Sequence, residues 1–91
     1  MGLGMIEFVR LVQTCMACPS QWDAWDVEDT YYYIRYRWGQ LSVDKAPSGD
    51  AYMRGDSVTI YAKRIGGEFD GTLNTANMLA TIGAKVLRYE S

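Results

Sequence analysis

The sequence predicts an α+β fold: a small antiparallel sheet of about five strands with one short C-terminal helix. Three observations carry that expectation. Tyr31 to Trp38 is an unbroken run of tyrosine, isoleucine, arginine and tryptophan, which suits a pleated, half-buried strand. Further runs of this kind are separated by Gly- and Asp-bearing breaks at hairpin spacing. The period then changes after Thr72, where Met78, Leu79 and Ile82 fall on one helical face.

Taken in order, Met5 to Cys15 fits either a helix or a strand. Met5, Phe8, Val9, Val12, Cys15 and Met16 make a helical stripe, whereas the β-branched content and the stop at Pro19 suit a strand. The strand is preferred, because the next segment is β and neighbouring elements usually pack together. Ser20 to Val27 reads as a strand and Glu28-Asp29-Thr30 as a turn. Gly39 breaks or bulges the Tyr31 to Trp38 strand, and Gln40 to Asp44 continues the sheet. Ala46 to Asp56, with Pro47, Ser48, Gly49, Asp50 and Gly55, is a loop-rich zone. Ser57 to Arg64 is another strand, ending at Gly66-Gly67. Asp70-Gly71 is a turn. Thr72, Asn74 and Thr75 each suit a helix N-cap, and Gly83 sits where a C′ glycine belongs. Lys85 to Tyr89 reads as a last strand, at an edge.

A chain of 91 residues makes one domain, 1–91, with a modest core and little room for an enclosed cleft. Binding is therefore expected on a sheet face, a rim or a subunit interface. The aromatic fraction of 13% favours interfaces, because Tyr and Trp pair an apolar ring with a polar tip. A small core also gains stability from an added interface, so a homo-oligomer is expected. The net charge of -2 argues against bulk nucleic-acid binding, which calls for a basic surface. The absence of His excludes a Ser-His-Asp or Cys-His centre and His-ligated zinc. No apolar run approaches the ~18 residues of a membrane span. The first residues lack the basic start of an export signal, so a cytoplasmic protein with reduced thiols is expected.

The candidate site comes from strand alternation. One face of the central strand carries Tyr31, Tyr33, Arg35 and Arg37. The other carries Tyr32, Ile34, Tyr36 and Trp38 and is the expected core face. Arginine offers a fork that matches phosphate or carboxylate, and tyrosine offers a stacking plane. Together they suit an anionic, nucleotide-like ligand. With a compatible register, Tyr61 and Lys63 join this face. The competing reading is structural: Tyr and Arg support cross-strand pairing, and Asp23, Asp26, Glu28 and Asp29 neutralise the arginines. Trp22 and Trp25 face opposite sides of their strand; packing at both sheet faces is one reading, and one in the core with the other at an interface is the second. Trp25, Tyr52 and Arg54 are the residues expected to meet a protein partner.

Other motifs carry less. Cys15 and Cys18 have half-zinc-site spacing, but there is no third Cys and no His. Burial as small inert hydrophobes is expected, and two chains sharing one metal is the alternative. No cofactor or metal is predicted. Arg54-Gly55-Asp56-Ser57 spells an adhesion tetrapeptide, but a Gly-Asp turn entering a strand explains the same residues. Asp23 and Asp26 point to opposite faces of a regular strand, so they make no acid-base pair. Gly66-Gly67 is not a phosphate loop. A non-catalytic protein is expected, with no catalytic residue assigned.

Cys18-Pro19-Ser20-Gln21-Trp22-Asp23-Ala24-Trp25, with Tyr32-Tyr33-Ile34-Arg35-Tyr36-Arg37-Trp38-Gly39-Gln40-Leu41-Ser42-Val43 after it, resembles small uncharacterised proteins of actinobacteria and their phages. The resemblance covers about the first half of the chain. It implies only a self-contained accessory protein; a phage setting, by analogy, favours one that acts by binding, such as an inhibitor of a host factor or a sequesterer of a signalling nucleotide. Two functions therefore stand side by side: a module for an anionic small molecule, and a protein-interaction module with no small ligand.

Overall fold

The computed structural model describes residues 6–15, 20–67 and 72–90. Strands β1 (Ile6–Cys15), β2 (Ser20–Asp26), β3 (Tyr31–Arg37) and β4 (Gln40–Ala46) precede a short helix, α1 (Gly49–Met53). Strand β5 (Val58–Arg64), helix α2 (Thr75–Ile82) and strands β6 (Ala84–Val86) and β7 (Tyr89–Glu90) complete the order. They form one sheet in the order β5-β4-β3-β2-β1-β6, with β7 also on β1. The sheet curls into a half-barrel.

The antiparallel expectation holds for β1 to β5, each of which pairs with the next. It fails at β6 and β7, which run parallel to β1. The reason is direction. Five alternating strands leave β5 heading the same way as β1, at the opposite edge. Helix α2 carries the chain back, and the returning strands run with β1. Parallel neighbours need such a crossover.

The core lies between α2 and the inner sheet face. Phe8, Leu11, Trp22, Ile34, Leu41 and Val43 are fully buried there, with Met78 and Ile82 of α2 above them. Trp22 Nε1 donates to Thr75 Oγ1 at 2.9 Å, and Leu73 N donates to Ser20 Oγ at 3.1 Å. These bonds tie the start of α2 to β2. Asn74 caps the helix by accepting from Asn77 N, and Gly83 ends it with φ 76°.

The region read as helix or strand is β1. Its register slips between Phe8 and Arg10. That irregularity turns both Phe8 and Leu11 inward, three residues apart, which mimics helical spacing in a strand.

The zone from 46 to 56 is not all loop. Ser48 Oγ accepts from Ala51 N at 3.0 Å and starts α1. The tetrapeptide at 54–57 lies in the exposed turn from α1 into β5, with Gly55 at φ 89°. Trp38 also departs from expectation. It is 59% exposed rather than core. Arg37 pairs with Gln40, so Trp38 and Gly39 form a two-residue loop, with φ 52° and 77°. Positive φ at both positions is what a tight hairpin matching strand twist requires. A Cβ on Gly39 would fall 2.3 Å from the Gly67 carbonyl oxygen. Ile65 N and Gly66 N donate to the Gly39 carbonyl at 2.8 and 3.1 Å, strapping the hairpin tip to the end of β5.

Candidate functional site

The outer sheet face is built along β3. Its register places Tyr31 beside Trp25 and Ala46, Tyr33 between Asp23 and Asp44, Arg35 between Gln21 and Ser42, and Arg37 beside Gln40. The face therefore changes character along one strand, from aromatic and acidic to basic.

At the aromatic end α1 lies over the sheet. Tyr52 sits 5.3 Å from the ring centres of both Tyr31 and Tyr33, and Trp25 sits 5.8 Å from Tyr31. Tyr31 is 7% exposed, and its hydroxyl donates to Asp23 Oδ1 at 2.6 Å. Tyr33 is half-buried. Burial raises the Tyr33 hydroxyl; Arg35 opposes that, and Asp23 and Asp44 add to it. The expected stacking surface at Tyr31 and Tyr33 is thus covered by their own neighbours. Tyr52 belongs to this cluster rather than to a bare surface. Trp25 is half-buried with the Arg10 guanidinium 4.9 Å from its ring centre, and Arg54 is exposed where α1 ends.

At the basic end Arg35 and Arg37 are exposed. The Arg37 guanidinium lies 4.2 Å from the Trp38 ring centre. A hollow of about 260 Å³ opens here, lined by Arg35, Arg37, Trp38, Gln40 and Ser42. Among the described residues no carboxylate lines it. Two of the acidic residues expected to neutralise the arginines act elsewhere. Asp23 receives the Tyr31 hydroxyl. Asp26 Oδ1 accepts from Glu28 N at 2.9 Å and Thr30 N at 3.0 Å, and Oδ2 accepts from the Tyr32 hydroxyl at 2.8 Å. Asp23 and Asp26 serve opposite faces.

Lys63 does not join the arginines. It pairs with Leu41, and Tyr61 pairs with Val43, so both stand on the core side of β5. Arg64 takes the expected place. It pairs with Gln40, and its Nη1 donates to the Trp38 carbonyl at 2.8 Å.

Trp38, Gln40, Ser42 and Arg64 are site residues that the sequence reading missed. A signal existed for two of them. With Trp38-Gly39 as a two-residue loop, alternation puts Gln40 and Ser42 across from Arg37 and Arg35. Cys15 is half-buried, and Cys18 lies outside the described residues. Among the described residues no three His, Cys, Asp or Glu side chains gather as a metal site, and no helix is long and apolar enough to cross a membrane.

The basic end combines two exposed guanidinium forks, an amide, a hydroxyl and an exposed indole that carries the Arg37 guanidinium over its ring. Such a set matches an anion attached to a flat group. No protein-family model, curated protein or solved structure matches this chain.

Proposed function

We propose that this is a small non-catalytic binding protein that holds an anionic, nucleotide-like ligand on the outer face of its sheet. The observation that carries the reading is the hollow at the β3–β4 hairpin, with Arg35 and Arg37 in its lining and no carboxylate among the described residues that line it. Arg35 and Arg37 bind the phosphates, Gln40 and Ser42 supply neutral hydrogen bonds, and Trp38 offers the stacking plane. Stacking therefore moves from the tyrosines to Trp38. A local stripe of this kind suffices despite the chain's net negative charge. The protein acts as a homo-oligomer, and β5, an edge strand among the described residues, offers a place for a second copy. The resemblance to actinophage proteins supports an accessory or counter-defence role, since sequestering a signalling nucleotide needs binding alone.

Native mass spectrometry of freshly purified protein tests the reading. A phosphate-containing adduct that leaves on denaturation is expected. A bare chain whose melting temperature ignores nucleotides and inorganic phosphate contradicts it.

A second reading, an inhibitor-like protein-interaction module, rests on a different observation. Met53 is 82% and Val58 62% exposed. Val58 borders an open trough of about 770 Å³ that Pro47 and Ile60 also line. A pull-down that captures one stoichiometric protein, lost on Val58→Asp, would favour it.

A further inference from the structure

The outer face holds a second hollow with the opposite chemistry. It encloses about 490 Å³ between α1, the end of β2 and the start of β3. The half-buried Trp25, Tyr33 and Tyr52 line it with the carboxylates of Asp23 and Asp50 and the buried Tyr31, and among the described residues no Lys or Arg does. At about 3.3 Å per strand residue, its centre lies roughly 13 Å along β3 from the arginine hollow. One small ligand does not fill both.

We propose that this hollow binds an organic cation bearing a methylated ammonium group. Aromatic surfaces attract cations through their quadrupole, and alkylated ammonium loses little hydration on settling against them. A bare metal ion would surrender its water to rings that cannot replace it. Asp23 and Asp50 supply the counter-charge. The Tyr31–Asp23 bond of 2.6 Å holds one wall in place. Burial pushes the Tyr52 hydroxyl up, and Asp44, Tyr33 and Asp23 push it further, against Arg35. Trp25 already attracts a cation, Arg10, which lies 4.9 Å from its ring centre and outside the lining of the hollow. None of this depends on the anion reading, because the two hollows share no lining residue.

The test tracks the Trp25 indole N–H signal by NMR in the full chain. Three probes are titrated separately: choline, its neutral isostere 3,3-dimethylbutan-1-ol, and a peptide with one trimethyllysine. Choline or the peptide should shift Trp25 saturably, and the isostere should bind at least about tenfold more weakly. Tighter binding of choline marks a free small molecule as the source. Tighter binding of the peptide marks a protein side chain. Tyr52→Leu and the exposed Asp50→Asn should each weaken binding several-fold and leave the position of the Trp38 indole N–H signal unchanged. If Tyr52→Leu fails to fold, Asp50→Asn decides. Equal binding of the isostere, or no shift with either cation, overturns the proposal.

Discussion

The Tyr31 hydroxyl donates to Asp23 Oδ1 at 2.6 Å, across the outer face of the β2–β3 pair. One ring thus closes the aromatic end of the face and uses a carboxylate that would otherwise stand diagonal to Arg35. Tyr31→Phe should cost about 1–3 kcal/mol, the worth of a hydrogen bond to a charged acceptor. Urea denaturation at pH 7 measures it. Burial, with Asp23 adding, raises the Tyr31 hydroxyl far above the ordinary value. A raised folded-state value stabilises the fold below the unfolded tyrosine value and is lost at higher pH. The wild type should therefore lose more stability above pH ~10 than Tyr31→Phe does.

The inner rim carries the matching pair, Tyr32 and Asp26, with opposite pH signs. Burial and then Asp26 push the Tyr32 hydroxyl up to about 12, so its contribution should fall away between pH ~10 and that value. Burial opposes ionisation of Asp26. The Tyr32 hydroxyl and the Thr30 and Glu28 N–H groups outweigh it and lower the carboxyl. Its contribution is present above the unfolded value and lost as pH falls through the folded one. Asp26→Ala leaves two turn N–H groups without this acceptor and should cost about 1–3 kcal/mol at pH 7. The loss should shrink below pH ~4. Melting curves from pH 2 to 7 check both statements.

Gly39 is the backbone condition for the arginine hollow. It combines φ 77° with a Cβ position 2.3 Å from the Gly67 carbonyl oxygen. Gly39→Ala should destabilise by at least about 1 kcal/mol, the usual cost of a side chain at positive φ. It should also loosen the Ile65–Gly67 strap. A lower melting temperature, with faster hydrogen exchange at Ile65 and Gly66, is the expected result.

How much of this was legible depends on whether the cause was local. The β3 alternation from Tyr31 to Arg37 and the Gly83 stop are written in neighbouring residues, and the structure places both as read, while of the three N-caps on offer, Thr72, Asn74 and Thr75, it uses Asn74. The strand character of β1 was blurred by its irregularity, because two inward residues three apart look helical. The parallel β6 and β7 depend on where α2 crosses, which no local pattern encodes. Lys63 was misplaced because a long connection separates β4 from β5, so loop length does not set their register. Trp38 broke parity because it belongs to the turn rather than the strand. Helix α1 has five residues, too few for a periodic signal.

The proposal that Arg35 and Arg37 bind the ligand's phosphates is tested by calorimetric titration of ATP into wild-type and Arg35→Ala protein. Saturable binding to the wild type is expected. The variant should lose about 10- to 100-fold in affinity, the worth of one charge-assisted bond to phosphate, with unchanged urea stability. Wild-type affinity in Arg35→Ala, or no heat with either protein, would contradict it.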